Sequence, residues 1–261
     1  MVSDLIIGCI VQARMGSNRL PGKVLMKIDE KTILEYVLNQ LSSCTLLDEI
    51  IVNTTTLSED TQIVECAKKM NVNFFRGSEK NVLDRYYQCA KNFSIDIIVR
   101  ITSDNPLIDP NIVDDAIKIF KENSYDYVTN CRQRTFPYGT EVEVFTFKAL
   151  EQCWKNAKKP SELEHVTPYI YNNSDKFIIH DLLNAKNLSN LRWTVDRAND
   201  LELVRILASK IQKRPILMKD ILKIFSKEPN LENINKNNIP NEGFLKSLKE
   251  DKDFLKSKNS N

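Results

Sequence analysis

The chain has 261 residues, of which 42% are hydrophobic and 28% charged, a composition typical of a globular protein with a sizeable core. Its 37 Lys and Arg nearly balance its 35 Asp and Glu, so the composition indicates neither a disordered chain nor a nucleic-acid partner. Six scattered cysteines with no CxxC pair, together with only two histidines, exclude a zinc knuckle.

The first half of the chain alternates between strand and helix patterns. Strands are predicted at residues 5–12, 49–54, 72–75 and 95–101, and helices at residues 32–42, 61–69, 81–92 and 111–123. The strand segments are nearly continuous runs of Ile, Val and Leu, which is typical of strands buried on both faces. The sequence therefore predicts an α/β fold, with a mostly parallel sheet covered by helices on both faces.

The pattern becomes less regular after residue 125. Strands are predicted at residues 125–129, 142–145, 177–182 and 192–195, and helices at 147–156, 162–171, 199–211 and 219–226. The segment 125–182 is where we expect a substrate-specific insertion. Residues 227–261 are rich in Lys, Asn and acidic residues, so we expect a polar, solvated extension that is partly helical or mobile. Phe244, Leu248 and Leu255 could form one weak docking stripe on it.

Cellular location is indicated by the cysteines and the N-terminal sequence. Cys9, Cys66 and Cys89 lie among apolar residues of predicted elements, as free thiols do in a reducing cytoplasm. The apolar run at residues 5–11 is too short to span a bilayer and leads into no signal-cleavage pattern. We therefore expect a cytoplasmic protein with no membrane partner.

The most informative segment is the loop after the first predicted strand, residues 12–23, here called the cationic loop. It contains three cations, two glycines and two small hydrogen-bonding residues: Arg14, Arg19, Lys23, Gly16, Gly22, Ser17 and Asn18. Ligands bind at this edge of open α/β sheets, and glycines let a phosphate approach the backbone N–H groups. The loop therefore favours a phosphate site over a solvated basic turn. It matches neither GxGxxG nor GxxxxGK[ST], which disfavours Rossmann dehydrogenases and P-loop NTPases.

At these residues the sequence resembles the sugar cytidylyltransferases, particularly the spore-coat-polysaccharide and acylneuraminate cytidylyltransferase-like branch, whose first loop reads QARxxSxRLPGK. Further matching stretches follow in family order at residues 77–86, 100–110, 139–145, 164–169 and 194–196, so the resemblance covers about residues 5–225. It implies a GT-A-like nucleotide-diphospho-sugar transferase fold. The nucleotidyltransferase domain would span residues 1–226, with an acceptor-binding insertion at about 125–182 and the extension at 227–261.

The resemblance also implies a reaction and its partners. Such enzymes join CTP to an acidic sugar, giving a CMP-sugar and pyrophosphate for the synthesis of surface polysaccharides or glycoconjugates. They depend on Mg²⁺, and a homodimer is common among them. The assignment of cytosine as the base is implied by the resemblance alone.

Two aspartates are candidates for holding the metal. Nucleotidyl transfer adds negative charge to phosphates that are already charged, so it needs a divalent cation. Asp104 and Asp196 each follow a predicted strand and can reach the edge where the cationic loop lies. The resemblance assigns both to Mg²⁺. The alternatives are that Asp104 forms a turn before Asn105 and that Asp196 interacts with the dipole of a helix capped by Asn199.

The resemblance assigns the nucleotide to residues of the loop and of two later segments. The implied nucleotide-binding residues are Gln12, Ala13, Arg14, Gly16, Ser17, Arg19, Lys23, Ser78, Arg85 and Asp104, and the implied catalytic residues are Arg14, Lys23, Asp104 and Asp196. For Arg85 the sequence slightly favours a helix-surface arginine paired with Asp84. Ser78 is equally well explained as a turn serine.

Candidate acceptor-binding residues lie in the predicted insertion. Glu141 and Glu143 alternate on one predicted strand and so point the same way, which places two acids beside the acceptor pocket. His165 could bind the acceptor or assist proton removal, but a histidine packed within its helix is the more common outcome. Arg132 and Arg134 could neutralise an acceptor carboxylate or be solvated.

Three rival functions share parts of this pattern. A GT-A glycosyltransferase also holds a nucleotide through a carboxylate-bound metal, but it would release a nucleoside diphosphate. A nucleotidyltransferase with a different base or a non-sugar acceptor would have the same loop and aspartates. A nucleotide-binding regulator would bind CTP without turnover.

Overall fold

The computed structural model describes residues 5–259. The strands are β1 (Ile7–Gln12), β2 (Lys27–Ile28), β3 (Lys31–Thr32), β4 (Glu49–Thr55), β5 (Asn73–Gly77), β6 (Ile97–Thr102), β7 (Tyr127–Thr129), β8 (Glu143–Thr146) and β9 (Ile179–Asp181). The helices are α1 (Ile33–Leu41), α2 (Thr61–Lys69), α3 (Val82–Asn92), α4 (Pro110–Lys121), α5 (Phe147–Asn156), α6 (Pro160–His165), α7 (Pro168–Asn172), α8 (Ala198–Lys210), α9 (Met218–Lys227) and α10 (Glu242–Asn259).

A seven-stranded sheet with the order β5-β4-β1-β6-β8-β7-β9 forms the centre of the fold. β1, β4, β5 and β6 are parallel, whereas β8 runs antiparallel to both β6 and β7. Successive residues of β1 pack on opposite faces, with Cys9 and Val11 in one apolar cluster and Ile10 in another. Helices therefore cover both faces, which explains the continuous apolar strand runs and confirms the predicted fold class.

The parallel half of the sheet brings several chain segments to one edge. β1, β4, β5 and β6 end at Gln12, Thr55, Gly77 and Thr102, and the cationic loop follows the first of these ends. Gly22, the next-to-last residue of the loop, has φ at 67°, a left-handed conformation that favours glycine. Helix α4, which follows β6, begins as the sequence indicates, with Asp109 as its cap and Pro110 at its first position.

Three sequence predictions about the second half are wrong. The helix predicted at 162–171 is divided into α6 and α7, because Val166 has φ at 70° and Pro168 can only begin a new helix. The segment 192–195 is no strand, because its backbone pairs with turn residues and forms a single bridge, Tyr138 to Arg192. Helix α8 begins with Arg197 as its cap residue, whereas the side chain of Asn199 binds Ile234 and Asn238.

The C-terminal extension contains the 18-residue helix α10, which packs on α6. Its docking face differs from the predicted stripe, because Leu248 and Leu255 are exposed while Ser247 and Asp251 are buried. Of the predicted stripe, Phe244 packs on α6, against the ring of His165, and polar contacts rather than leucines fix the rest of the helix. The first four residues of the predicted domain and the last two of the extension lie outside the described residues. Within residues 5–259, no helix combines the length and apolar character needed to cross a bilayer.

Candidate active site

Asp104 and Asp196 meet at the ammonium group of Lys23. The Nζ atom of Lys23 lies 3.0 Å from an Asp104 carboxylate oxygen and 2.9 Å from an Asp196 carboxylate oxygen. It also donates to the carbonyl of Val195 at 2.6 Å. Residues from the cationic loop, the turn after β6 and the entry to α8 thus converge at a single point.

Backbone and side-chain hydrogen bonds explain why two aspartates so distant in sequence come together. The backbone N–H of Val195 donates to the carbonyl of Asp104 at 2.8 Å, and the hydroxyl of Thr194 donates to the same carbonyl at 3.2 Å. The carboxylate of Asp104 is in turn fixed by the hydroxyl of Thr102 at 2.6 Å. Both carboxylates are therefore positioned before any ligand arrives.

The electrostatics of this group are strongly coupled. Burial alone would lower the pKa of Lys23, but the charges of Asp104 and Asp196 outweigh it and raise that pKa. Burial acts to raise the pKa of Asp196, but Lys23 and Arg19 hold it well below its usual range. Arg192 donates to the other oxygen of Asp196 at 2.8 Å. Lys23 and Asp196 therefore both remain ionised at neutral pH.

A buried carboxylate that the sequence analysis missed holds the cationic loop. Asp60 is 0% exposed, accepts the backbone N–H of Met15 at 2.7 Å and also accepts the hydroxyl of Thr55. Hydrogen bonds to a buried carboxylate are strong, and they are costly to break. The only sequence signal was an acidic residue just before α2, which is equally common at ordinary helix starts.

The cationic loop forms one wall of a cavity of about 260 Å³, here called the first cavity. Its charged lining comprises five cations and three carboxylates: Arg14, Arg19, Lys23, Arg100, Lys246, Asp104, Glu164 and Asp196. Of the predicted nucleotide-binding residues, those that line it are Gln12, Arg14, Ser17, Arg19, Lys23 and Asp104. This excess of cations at the carboxyl edge of a parallel sheet suits a phosphorylated ligand.

Four of the predicted nucleotide-binding residues do not line the first cavity: Ala13, Gly16, Ser78 and Arg85. The interpretation of Arg85 as a surface arginine paired with Asp84 is wrong, because Arg85 is 0% exposed and donates to the carbonyl of Ser78. Two further guanidinium nitrogens of Arg85 have no hydrogen-bond partner among residues 5–259, and burial and the nearby Arg14 lower its pKa. Arg85 therefore supports the segment after β5 from below.

A second cavity of about 340 Å³ adjoins the first, and the two share Arg100, Thr102 and His165. Glu141 and Glu143 both line it, as do Arg132 and Arg134. The Glu141 carboxylate accepts hydrogen bonds from the Arg134 guanidinium at 2.7 Å and from the Gly139 backbone at 2.8 Å. A molecule bound here would lie directly beside one bound in the first cavity.

The carboxylate of Glu143 is already saturated with partners. One oxygen accepts the hydroxyls of Tyr127 and Thr167, and the other accepts the guanidinium of Arg100. Glu143 is only 5% exposed, so this network satisfies a buried charge. The side chain therefore fixes Arg100, which lines both cavities, and both of its carboxylate oxygens are engaged by protein donors.

His165 lies where the two cavities meet. Burial, with a further contribution from Arg100, lowers its pKa to about 4. Its Nε2 atom lies 3.1 Å from the Ser247 hydroxyl, and its ring packs edge-on against Phe244. The imidazole is therefore neutral at physiological pH and is held by two residues of α10.

The two aspartates fit a divalent cation through the chemistry of their oxygen donors. An oxygen of each faces the same point, and carboxylate oxygens are the ligands that Mg²⁺ prefers. In the part of the chain that the structure describes, no cluster of three or more His, Cys, Asp or Glu side chains could hold a metal. A magnesium ion here would thus need phosphate and water oxygens as well, as is usual for Mg²⁺ at nucleotide sites.

Comparison with known proteins gives a consistent family match. A family model described as cytidylyltransferase matches residues 8–237. An uncharacterized protein of Methanocaldococcus jannaschii is 43% identical over 89% of this chain and 95% of its own length. The spore coat polysaccharide biosynthesis protein SpsF of Bacillus subtilis is 29% identical over 84% of this chain and 94% of its own length.

Solved structures agree with this match. A cytidylyltransferase from Leptospira borgpetersenii superposes with a TM-score of 0.85 and 36% identity, covering 90% of this chain and 98% of that one. A CMP:2-keto-3-deoxy-manno-octonic acid synthetase in complex with CTP gives a TM-score of 0.63 at 17% identity, covering 78% of this chain and 99% of that one. The second likeness shows the shared nucleotidyltransferase fold.

Proposed function

Because the chain belongs to the cytidylyltransferase family, we propose that it transfers the cytidylyl group of CTP to a hydroxyl of an acidic sugar. Family membership makes the chain a nucleotidyltransferase; the nucleotide, the acceptor and the metal are the proposed parts. The observation that carries the proposal is the convergence of Lys23, Asp104 and Asp196 at the wall of a cationic cavity. The products would be a CMP-sugar and pyrophosphate.

In this reaction the acceptor oxygen attacks the α-phosphorus of CTP in line with the departing pyrophosphate. A bond forms between that oxygen and phosphorus, the bond from phosphorus to the bridging β-phosphate oxygen breaks, and the hydroxyl proton passes to solvent. Negative charge then accumulates on pyrophosphate. Arg14, Arg19 and Lys23 line the cavity where that charge develops, and their fixed positions would stabilise it without reorganisation.

Asp104 and Asp196 are the residues that would hold Mg²⁺. When bound, the metal supplies Lewis-acid neutralisation of phosphate oxygens. The ammonium of Lys23 now stands between the two carboxylates, so cation binding would free it for a phosphate oxygen. The coupled carboxylates and their shared ammonium therefore suit a site that exchanges one cation for another.

The second cavity suits the acceptor because it opens beside the first. Arg100 and Arg134 are each engaged by a carboxylate, but Arg132 lies 3.7 Å from Asp181, and its side chain is 31% exposed. Arg132 is therefore the arginine in this cavity best able to meet the carboxylate of an acidic sugar. The Glu141 side chain is 22% exposed and could accept a sugar hydroxyl.

His165 lines both cavities and is the titratable imidazole at their junction. With a pKa of about 4, the imidazole is a weak base at neutral pH. A general base is most efficient when its pKa lies near the working pH, so His165 is poorly suited to that role. We therefore assign His165 to orienting the acceptor.

The name of the Bacillus subtilis relative supports a role in surface polysaccharide synthesis, which would take place in the cytoplasm.

A product screen tests the proposed function. The protein is mixed with Mg²⁺, with CTP, UTP, GTP or ATP, and with a panel of nonulosonic acids, other acidic sugars and sugar phosphates. We expect release of pyrophosphate with CTP and one class of acidic sugar, and a CMP-sugar mass in the same mixture. Release of a nucleoside diphosphate from a nucleotide sugar, or CTP binding without turnover for every acceptor, would contradict the proposal.

A further inference from the structure

Helix α10 forms part of the first cavity although it lies beyond the family match. That match ends at residue 237, whereas α10 begins at Glu242. Gly243 and Lys246, on the first turns of this helix, line the first cavity together with the cationic loop. The wall that faces the proposed triphosphate is therefore completed by a segment that the family pattern does not include.

The position of α10 is fixed by contacts at both ends of α6. Asp251 accepts the backbone N–H of Ser161 at 2.9 Å and its hydroxyl at 2.5 Å. One and two turns earlier on α10, Ser247 contacts His165 and Phe244 packs against the same ring. These contacts hold the helix at a defined rotation, which turns Lys246 toward the cavity.

Glu242, the first residue of α10, contacts two arginines, one in the cationic loop and one at the start of α8. The Glu242 carboxylate accepts from Arg197 at 2.8 Å and lies 3.8 Å from Arg19. Arg19 also holds Asp196. A carboxylate between two guanidinium groups makes the same kind of contact that a phosphate group would make. Glu242 therefore takes the place of an anion next to Arg19, which lines the first cavity.

Lys246 is held by a long, exposed ion pair. Its side chain is 70% exposed, and its ammonium lies 3.6 Å from Glu250, which is too long for a hydrogen bond. An exposed pair of this kind contributes little to stability. Lys246 can therefore leave Glu250 and move to a phosphate at small cost.

We propose that α10 is part of the nucleotide site, with Lys246 binding the outer phosphates of the triphosphate and Glu242 occupying Arg19 and Arg197 until those phosphates arrive. This rests on the proposed function, since it takes the triphosphate to lie in the first cavity. The incoming phosphates displace Glu242 from the two arginines, and Lys246 supplies an additional positive charge. Affinity for CTP is thus set by one residue that attracts the outer phosphates and one that competes with them.

Calorimetry on the full chain tests this inference, with CTP, CMP and inorganic tripolyphosphate as ligands and Mg²⁺ present. Lys246→Ala should weaken CTP and tripolyphosphate about fivefold or more while leaving CMP unchanged, because CMP lacks the outer phosphates. Glu242→Gln should tighten CTP about threefold, because the competing charge is lost. Lys249→Ala and Asp253→Asn change exposed residues of the same helix and serve as matched controls.

The outcomes separate this inference from the proposed function. Wild-type affinity of the Lys246 variant for CTP, or an equal loss of CTP and CMP binding, would overturn the assignment of Lys246. Unchanged CTP affinity of the Glu242 variant would overturn the competition. If tripolyphosphate binding responds as expected while no acceptor yields pyrophosphate, the inference stands and the proposed reaction fails.

Discussion

The ammonium of Lys23 lies 2.9 Å from a carboxylate oxygen of Asp196, although 173 residues separate them in the chain. Lys23 ends the loop after the first strand, and Asp196 precedes helix α8. Asp104 contacts the same ammonium from the turn after β6. Removal of any one of these three charges should therefore alter both the stability of this edge of the sheet and the binding of a nucleotide.

Lys23→Met tests the role of the shared ammonium. The substitution removes the cation that bridges Asp104 and Asp196, although Arg19 and Arg192 still contact Asp196, so unfolding free energy should fall by about 2–4 kcal/mol. Pyrophosphate release should fall about a hundredfold or more, because a positioned positive charge is lost. Mg²⁺ without nucleotide should raise the Tm of this variant more than that of the wild type, as thermal unfolding with and without Mg²⁺ would measure.

Lys27→Met is the matched control, because Lys27 is an exposed lysine close by in sequence. It should leave the Tm, the Mg²⁺ response and the activity near wild-type values. If Lys23→Met is as stable as this control and gains nothing from Mg²⁺, the two carboxylates do not face a common cation position.

Acid should destabilise the protein through His165. Burial lowers the pKa of this imidazole to about 4, below its ordinary value of about 6.5. The unfolded chain therefore binds the proton first, so the contribution of His165 to stability is complete above about pH 6.5 and is lost progressively toward about pH 4. His165→Gln should remove on the order of 1–3 kcal/mol of this pH dependence.

Proton NMR gives the direct measurement for this residue. The imidazole signal that disappears in His165→Gln should titrate in the wild type with a midpoint near 4. A midpoint near the ordinary value for histidine would show that the imidazole is solvated and would remove it from the junction of the cavities.

Arg132→Ala tests the site of the acceptor carboxylate. Because Arg132 is only loosely paired with Asp181, its removal should cost little stability. The KM for an acidic acceptor should rise about tenfold or more, while the KM for CTP stays the same, because a charged hydrogen bond to one substrate is lost. Arg205→Ala, at an exposed arginine of α8, is the control. Equal rises in both KM values would place Arg132 outside the acceptor site.

Asp60 should act on CTP binding by positioning the cationic loop. Asp60→Ala leaves the Met15 N–H and the Thr55 hydroxyl without their acceptor, which should cost about 2–4 kcal/mol of unfolding free energy and raise the KM for CTP. Asp60→Asn keeps an acceptor oxygen and should restore most of the CTP affinity. Steady-state kinetics of both variants measure this, and an Asn variant as impaired as the Ala variant would argue against a positioning role.

The sequence was sufficient for the parallel sheet and for the main charged groups of the site. Alternating strand and helix patterns have a direct physical cause, since buried parallel strands need apolar residues on both faces. The meeting of Asp104 and Asp196 near the cationic loop also followed from strand ends that share an edge, although the segment before Asp196 proved not to be a strand. Asp196 is brought to this edge by the hydrogen bond from the backbone N–H of Val195 to the carbonyl of Asp104.

The contribution of the C-terminal helix could not be predicted from the sequence. The predicted apolar stripe comprised Phe244, Leu248 and Leu255. Of these, Phe244 packs on α6, and α10 docks mainly through Ser247 and Asp251, whose partners on α6 are distant in sequence. Polar docking of this kind has no periodic hydrophobic signal. The burial of Arg85 was missed for a related reason, because a helix pattern does not show which polar residue lies beneath a loop.

Binding of Mn²⁺ in the presence of CTP tests the central claim most directly, because Mn²⁺ substitutes for Mg²⁺ at oxygen sites and is visible by electron paramagnetic resonance. Wild-type protein should bind one Mn²⁺ with CTP, and Asp104→Asn and Asp196→Asn should each weaken that binding about tenfold or more, while Asp253→Asn on the exposed face of α10 should not. Wild-type Mn²⁺ affinity in either the Asp104 or the Asp196 variant would contradict the account.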